Sequence, residues 1–524
     1  MIDQFSLLDW SIFAAYALIL LGTGVYLNKS ANDSQDYFLG GNKMSLWAVA
    51  VSVLATSQSA ATFLGGPDQG YRGNLTYLSS NLAGVVAAIF VAKFLLPKFY
   101  QYRVFTVYEL LGKRFGENAM YQAGLVYLFG RLFASGARLF MAAIAIAMIL
   151  FGDIAPGSVM ISILIIAAVG FAYTVYGGIR SVIYSDVVQC VLYVGAATMV
   201  LIYLLTSIPA DFSSIMQALQ NPAPGEQSKL TFFDFSLDFS SAGVFSIWSV
   251  LTGFVLLNIA AFGLDQDVSQ RMLTCKDANS ATKALVTSII MGIPVVLIFM
   301  CIGLLLYIYY QRPELMMTAS GSPIPEFQGQ TVTIFMYYVL TDLPNGIKAV
   351  VTIGIIAAAL STLNSGLNSM ASVAVQDIYK DWIKKGQPLS EQHLVAAGRV
   401  AMGIVALALS AMAALCYYWQ QYTDMPLLNF ALSVMVFSYS GLLGIYFTAL
   451  FTNRGSSRSI LLALIFGFLT PLSMQPYIMS LYPESLQFDL GFSWQLIIGT
   501  LVSLSICMSA KSTNANWQQE RMDG

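Results

Sequence analysis

The most informative part of the sequence is the stretch Ile355-Ile-Ala-Ala-Ala-Leu-Ser-Thr-Leu-Asn-Ser-Gly-Leu-Asn-Ser-Met370, within an apolar segment from about 347 to 378. Four of its polar residues follow i, i+3, i+4, i+7 spacing and therefore share one face of a helix. They are Ser361, Asn364, Ser365 and Asn368. Uncharged oxygens on such a face can surround a singly charged cation, but small polar residues also favour close packing between membrane helices. The stretch alone leaves both interpretations open.

The composition indicates a protein that lies in a lipid bilayer. Of its 524 residues 57% are hydrophobic and only 10% are charged, whereas a soluble protein has about 25% charged residues. The net charge of −2 gives no indication of a nucleic-acid partner. The five cysteines form no CxxC pair and the only histidine is His393 in a polar connector. These counts argue against a metal cluster, a haem protein and an enzyme with a nucleophile–base pair.

Thirteen apolar segments are each long enough to cross the membrane, which takes about 20 residues. They lie near 9–28, 45–66, 75–97, 119–150, 157–176, 182–208, 243–264, 282–310, 347–378, 394–418, 427–451, 459–481 and 490–509. The longest connectors fall near 209–242 and 311–346. In the second connector we expect residues 331–340 to form a short helix on the surface.

Positive charge is distributed unequally between the two sides of these segments. If the N-terminus lies outside, most of the 25 Lys and Arg residues fall in inner connectors and helix ends, among them Arg180 and Arg271. The outer side then holds Arg72, Lys229, Arg312 and Lys348. Cytoplasmic connectors carry the excess of Lys and Arg. The sequence therefore predicts an outer N-terminus and an inner C-terminus, which agrees with an odd number of spans.

Two of the segments are expected to be interrupted in the membrane, at Ala55–Thr62 and at Leu257–Gly263. They open two blocks of five segments with opposite orientation, and discontinuous helices at matching positions indicate the central site of a transporter. Polar residues in Ala55–Thr62 can bond backbone groups that unwinding would expose to hydrocarbon. An unbroken helix with a polar face is the alternative there, because this stretch contains no Pro or Gly.

Four motifs resemble those of the sodium/solute symporter family. They are Asp36–Gly41, Tyr173–Gln189, Asp267–Arg271, and Leu363–Ser369 followed by Asp377–Tyr379. The resemblance covers nearly the whole chain and looks closest to bacterial sialic acid and sugar symporters and to the vitamin and monocarboxylate branch. It implies an all-α integral membrane protein with a LeuT-type five-plus-five inverted repeat in one domain, residues 1–524. The implied parts are an extra N-terminal helix at 9–28, repeats at 45–208 and 243–451, and two C-terminal helices within 459–509.

The resemblance implies a first sodium site between segments 45–66 and 347–378. Its ligands would be the backbone carbonyls of Ala55, Gln58 and Ala358 and the hydroxyls of Ser361 and Thr362. Five oxygens without a full negative charge suit the hard, singly charged sodium ion.

A second sodium site is implied beside Asp186, with Ser361, Asn364 and Ser365 as further ligands. Placing a carboxylate inside the membrane costs free energy, so such a residue usually has a functional role. Asn364 departs from the hydroxyl that is common at its position. The alternative is that Asp186 lies at the membrane interface and pairs with a residue such as Arg180, so either one or two sodium ions are expected.

The implied solute pocket includes Arg138, which aligns with the arginine that binds the substrate carboxylate in sialic acid symporters. A guanidinium suits that role because it can form two parallel hydrogen bonds with a carboxylate. Arg131 shares its face, and we expect it to extend toward the cytoplasmic surface. The other candidates are Ser57, Ser59, Thr62, Asn81, Phe254 and Asn258, with ordinary packing as the alternative for Phe254. The acids and the lysine of neutral-sugar members are missing from the matching positions, which favours an anionic substrate.

The sequence therefore predicts a sodium-coupled symporter that imports a small organic solute by alternating access, with sialic acid or a similar sugar acid as the favoured solute. The alternatives are a symporter for neutral sugars or for monocarboxylates and vitamins and, in a different class, a solute-sensing membrane module. No enzyme activity is expected. We expect a multi-pass protein of the bacterial inner membrane that works as a monomer, with the lipid bilayer and the solute as its partners.

Overall fold

A computed structural model describes residues 5–27, 33–222, 227–316, 326–327, 330–384, 387–420 and 427–511. This part of the chain is almost entirely helical. Helices of six or more residues are α1 Leu7–Leu27, α2 Ser34–Leu39, α3 Leu46–Ser57, α4 Ala60–Arg72, α5 Thr76–Tyr102, α6 Glu109–Phe115, α7 Glu117–Phe151, α8 Pro156–Thr174, α9 Gly178–Ser207, α10 Phe212–Gln220, α11 Ile247–Leu264, α12 Gln266–Leu273, α13 Ala278–Gln311, α14 Ile334–Thr341, α15 Ile347–Ile383, α16 Glu391–Gln420, α17 Leu427–Phe451, α18 Ser457–Ser473 and α19 Phe492–Ser509. Two short antiparallel strands, β1 Glu326–Phe327 and β2 Gln330–Thr331, lie before α14.

Each of the thirteen apolar segments overlaps a helix, but not every such helix has the length and composition of a membrane span. Within the described residues ten helices are long and apolar enough, and eleven if the bent pair α2 and α3 counts as one span. The apolar parts of α1 and α18 are shorter. The structure thus supports ten or eleven spans by these criteria, and the thirteen spans and the orientation stay predictions.

The second apolar segment is interrupted, as expected for Ala55–Thr62. Helix α3 ends at Ser57, and the backbone is extended at Gln58 (φ −91°, ψ 133°) and at Ser59 (φ −134°, ψ 176°) before α4 begins. The N–H of Ser59 bonds to the Thr62 hydroxyl at 3.5 Å. A polar side chain thus takes up a freed donor, and no Pro or Gly is required for the break. The prediction of an interruption here is confirmed.

The second interruption lies beyond the predicted stretch Leu257–Gly263. The backbone stays helical to Leu264, with π-helical turns at Val250–Phe254 and Ala260–Leu264, and becomes extended only at Asp265 (φ −87°, ψ 118°). The Asp265 carboxylate accepts a hydrogen bond from the N–H of Asp267 at 2.9 Å and so caps α12. The predicted position was wrong because the capping aspartate, not the polar residue within the helix, determines where the chain unwinds.

Two helices of six or more residues lie in the described parts of the long connectors. One is α14, which overlaps the expected surface helix at 331–340, but its Ile334, Phe335 and Tyr338 are buried. The N–H of Ile334 donates to the carboxylate of Asp68 at 3.3 Å, which holds α14 against α4. The prediction of a surface position was therefore wrong. The other helix, α10, was not predicted, although its capping Asp211 is visible in the sequence.

Helices α4 and α13 pack with their backbones in contact. A Cβ atom added at Gly303 would lie 2.1 Å from the carbonyl oxygen of Pro67, and one added at Gly70 would lie 2.6 Å from that of Met300. No side chain fits between the two helices at this level.

Replacing Gly303 by alanine is therefore expected to destabilise the protein by about 1–3 kcal/mol, the usual cost of overpacking an interior. This loss of stability should appear as a lower melting temperature when the purified protein is unfolded by heat in detergent. Gly195 on α9 is the matched control, because a Cβ atom there meets nothing within 4 Å, and alanine in a helix is favoured over glycine by roughly 1 kcal/mol. Equal melting temperatures for the two variants would contradict the close contact.

Candidate solute and ion site

A cavity of about 180 Å³ lies at both helix breaks, between residues of α3, α5, α7, α11, α12, α13 and α17. Five of the seven predicted solute-binding residues line it: Ser57, Asn81, Arg138, Phe254 and Asn258. Ser59 and Thr62 are not on this wall, because they form the first turn of α4 beyond the break. The structure thus brings together most of the predicted set.

The neutral residues of the wall offer both polar and apolar groups. Each of Asn81 and Asn258 donates one amide N–H to a carbonyl of its own helix, at 2.9 Å and 2.8 Å, so each amide oxygen remains as an acceptor for a ligand. Phe254 packs against Phe245 and Phe492, with ring centroids 5.7 Å and 5.5 Å away. Phe254 therefore has the packing role that was its alternative, and it also lines the cavity.

Arg138 presents a positive charge to the cavity. Its Nη2 atom lies 3.3 Å from the sulfur of Met435, which is a weak acceptor. Among the described residues no carboxylate lies within ion-pairing distance of this guanidinium. A half-buried guanidinium in this position favours an anion in the adjoining space.

The wall also contains two carboxylates that the sequence analysis missed, Asp265 and Asp267. The expectation of a pocket that has lost its acids was therefore wrong. Both residues lie in or directly before α12, just past the predicted end of the segment 243–264. Asp267 is also the first residue of the Asp267–Arg271 motif, and this signal had already singled it out.

Arg131 forms ion pairs with both of these carboxylates. Its guanidinium donates to Asp265 at 2.8 Å and also to Asp267, and the hydroxyl of Tyr439 donates to Asp265 at 2.6 Å. Only 4% of Arg131 is exposed. The expectation that it extends to the cytoplasmic surface was wrong, because the break at Asp265 places two acids against α7 inside the protein.

A second buried ion pair joins Asp186 on α9 to Arg271 on α12, with 2.9 Å between Oδ2 and Nη2. The hydroxyls of Ser52 and Ser361 donate to the same carboxylate at 2.5 Å and 2.7 Å. Arg180 instead pairs with Asp36 at 2.9 Å. Asp186 and Arg271 are both fully buried, so the alternative in which Asp186 pairs with Arg180 is wrong.

The residues of the first sodium site lie where the broken helix meets α15. Helix α3 ends at Ser57, and the carbonyls of a last helical turn, here including that of Ala55, lack intrahelical donors. The Thr56 hydroxyl is 3.3 Å from that of Ser365, which places this end one turn from Ser361 and Thr362. The Thr362 hydroxyl donates to the carbonyl of Ala358 at 3.1 Å. Hydroxyl and carbonyl oxygens of this kind can bind a sodium ion, and the Ser361 hydroxyl, which donates its proton to Asp186 at 2.7 Å, keeps its lone pairs as acceptors.

The second predicted sodium site is assembled only in part. Asp186, Ser361 and Ser365 lie together, and Ser365 donates to the carbonyl of Ser361 at 2.8 Å. Asn364 is different, because its amide oxygen faces α8, where a Cβ atom at Gly170 would lie 3.0 Å from it. Neither polar atom of the Asn364 side chain has a hydrogen-bond partner in the described structure.

Comparison with known proteins identifies similar transporters. Residues 37–467 match the sodium:solute symporter family. The chain is 26% identical to the sodium/sialic acid symporter of Proteus mirabilis, over 95% of this chain and 94% of that protein. It is 27% identical to the sodium/glucose cotransporter of Vibrio parahaemolyticus, over 96% and 91%. The substrate-bound outward-open structure of a Na⁺-coupled sialic acid symporter superposes with a TM-score of 0.79 at 22% identity, covering 96% of this chain and 98% of that one.

Proposed function

The chain belongs to the sodium:solute symporter family, and on that premise we propose that it imports a small carboxylate-bearing solute, sialic acid or a similar sugar acid, by alternating access. It is a multi-pass membrane protein with sodium as the coupling ion. We assign it to the bacterial inner membrane. The names of the similar sialic acid symporters support this choice of solute.

One observation carries the proposal that the solute is an anion. Arg138 lines the cavity with a guanidinium that, among the described residues, donates to a thioether sulfur 3.3 Å away and to no carboxylate. A carboxylate in the cavity would give this guanidinium two parallel, charge-assisted hydrogen bonds. Asn81 and Asn258 on the facing wall would then bond to hydroxyl or amide groups of the solute, and Ser57 adds a further hydroxyl.

The proposed architecture has thirteen spans, with the N-terminus outside and the C-terminus inside. Residues 45–208 and 243–451 form the two inverted repeats, 9–28 an additional helix, and 459–509 the two C-terminal helices. The helix breaks at Gln58–Ser59 and at Asp265 lie in the first helix of each repeat, which supports this division. We propose that the monomer is the functional unit.

We propose that sodium binds to the carbonyl oxygens of Ala55, Gln58 and Ala358 and to the hydroxyls of Ser361 and Thr362. A bound ion supplies positive charge that holds the end of α3 against α15. Because one wall of the solute cavity is the end of α3, fixing this end would complete the cavity and couple the two ligands.

A neutral sugar is the second candidate solute, and the carboxylates of Asp265 and Asp267 are the observation that favours it. Arg131 pairs with both and Arg271 pairs with Asp267 as well, so they can accept hydrogen bonds from sugar hydroxyls without requiring a cation from the ligand. The similarity to a sodium/glucose cotransporter agrees with this alternative.

Uptake into proteoliposomes tests the proposed function. We expect labelled N-acetylneuraminate to accumulate when sodium is outside, and not when potassium or choline replaces it. Glucose in excess should not compete. Uptake that proceeds equally with all three cations would contradict sodium coupling. Sodium-dependent uptake of glucose alone would contradict the anionic solute and support the second candidate.

Replacing Arg138 by glutamine is expected to lower kcat/KM for the acid by about 10²-fold, since truncating one partner of a buried charge pair costs roughly 2–5 kcal/mol. The same change should leave sodium binding by the purified protein in place, because Arg138 is not among the proposed sodium ligands. The control is Arg138→Lys, which keeps the charge but loses the two-pronged geometry and should retain intermediate activity. Unchanged uptake by the glutamine variant would show that Arg138 does not bind the carboxylate.

A further inference from the structure

Most of the acceptor positions of the buried Asp186 carboxylate are filled by hydroxyls and by a guanidinium. A carboxylate offers about four such positions, two on each oxygen. Oδ2 accepts from Ser52 at 2.5 Å and from Nη2 and Nε of Arg271 at 2.9 Å and 3.3 Å, whereas Oδ1 accepts from Ser361 at 2.7 Å. A cation could therefore reach Oδ2 only by displacing one of its donors, and it would meet the guanidinium beside the one position left on Oδ1.

Arg271 also bonds to the other oxygens around this position. Its Nε donates to the hydroxyl of Ser52 at 2.8 Å, and its Nη2 donates to the hydroxyl of Ser365. The guanidinium is therefore a cation surrounded by the carboxylate and hydroxyls that a second sodium ion would need as ligands.

Arg271 is fixed in this position by its own helix. Its Nη1 donates to the backbone carbonyl of Asp267 at 2.6 Å and to the Asp267 carboxylate at 3.1 Å. The two residues are four apart on α12, so the guanidinium cannot leave Asp186 unless the helix moves or the side chain gives up both pairs.

The fourth expected ligand of a second ion is turned away. Asn364 points its amide toward Gly170 of α8 rather than toward Asp186, and both of its polar side-chain atoms are without partners. The residues present therefore do not fit a sodium ion at this position. Position 364 therefore contributes no oxygen beside Asp186, although Ser361 and Ser365 do.

The charges around the cavity agree with this conclusion. Three arginines and three aspartates occupy its wall and the adjoining Asp186 pair: Arg131, Arg138, Arg271, Asp186, Asp265 and Asp267. Their formal charges sum to zero. One sodium ion and one monoanionic solute would preserve that balance, whereas a second sodium ion beside Arg271 would add an unpaired positive charge in a poorly screened interior.

We infer that Arg271 holds the second cation position as a tethered internal cation, so that a single sodium ion binds with each solute molecule. This inference rests on the proposed function, because it takes sodium coupling and the Ala55–Thr362 site as given. Transport of a monoanion would then move no net charge across the membrane.

Equilibrium binding of ²²Na⁺ to the purified full chain in detergent tests the inference without a need to know the solute. We expect one saturable site per protein, with an affinity that is at least about 10-fold lower in the Thr362→Ala variant, since Thr362 belongs to the first site only. Two sites in the unaltered protein, or one site of unchanged affinity in Thr362→Ala, would overturn the inference. Absence of any saturable sodium binding would instead contradict the proposed function.

Charge variants at position 271 give a second measurement. Arg271→Lys keeps a cation beside Asp186 and should still bind one sodium ion. Arg271→Gln removes the cation, and a folded preparation, checked by a monodisperse elution profile, should bind a second sodium ion. A folded Arg271→Gln protein that still binds one ion would overturn the competition between guanidinium and sodium. If Arg271→Gln does not fold, the site count of the unaltered protein decides the question.

Discussion

The Arg131→Met variant is expected to lose about 3–5 kcal/mol of stability, the usual cost of removing one partner of a buried ion pair. Arg131 is the only cation within ion-pairing distance of Asp265 among the described residues, whereas Asp267 keeps its contact with Arg271. Asp265 would therefore be left as a charge without a counter-ion in the interior. The measurement is the melting temperature of the purified protein in detergent.

Two further variants separate loss of charge balance from loss of the arginine side chain. Adding Asp265→Asn to Arg131→Met removes the unpaired charge and should recover a large part of the lost stability. Arg180→Met breaks the pair with Asp36, whose side chains are 40% and 30% exposed, and should cost no more than about 1 kcal/mol. If all three variants melt at the same temperature, the buried network does not contribute to stability as the geometry indicates.

The double variant Ser361→Ala, Thr362→Ala is expected to raise the sodium concentration for half-maximal uptake by at least about 10- to 100-fold. Changes to groups that only support a metal ligand already cost about this much in affinity, and here two proposed ligands would be lost. Sodium-dependence curves of N-acetylneuraminate uptake into proteoliposomes provide the measurement. An unaltered curve would remove these residues from the sodium site.

Single replacements at Thr362 separate an effect on the sodium site from an effect on the Asp186–Arg271 pair. Ser361 also donates to Asp186 at 2.7 Å, so its loss affects the Arg271 pair as well as the sodium site. Thr362 bonds only to the carbonyl of Ala358 in the described structure. Thr362→Ala should therefore shift the sodium requirement by itself, and Thr362→Ser, which keeps the hydroxyl, should leave it nearly unchanged.

Much of the fold could be predicted from hydropathy, because membrane helices are long apolar runs with clear ends. The break at Gln58–Ser59 was also predictable from its polar residues. The break at Asp265 was misplaced by two residues, since a polar residue inside a helix and a capping residue beyond it look alike in one sequence. The buried position of α14 depends on its contacts with α4, and the local sequence of α14 does not reveal these contacts.

The ion pairs of the site could not be predicted, because they join residues distant in sequence. Asp186 and Arg271 are 85 positions apart, and Arg131 and Asp265 are 134 apart. Counting charges by side of the membrane assigned Arg271 to the inner connectors and helix ends, but such a count cannot indicate that Arg271 pairs with Asp186. Five of the seven predicted solute residues nevertheless line one cavity, because their positions came from the resemblance to the family and not from local pattern.

The contact between α4 and α13 at Gly70 and Gly303 limits how α4, the second half of the broken helix, can move. Backbones that touch without intervening side chains cannot slide past one another or rotate about their axes without a collision at the carbonyls of Pro67 and Met300. The two helices should therefore move as one lever during transport. The extended residues Gln58 and Ser59 would then be the hinge for this movement. The cavity would open through a joint rotation of α4 and α13, not of α4 alone.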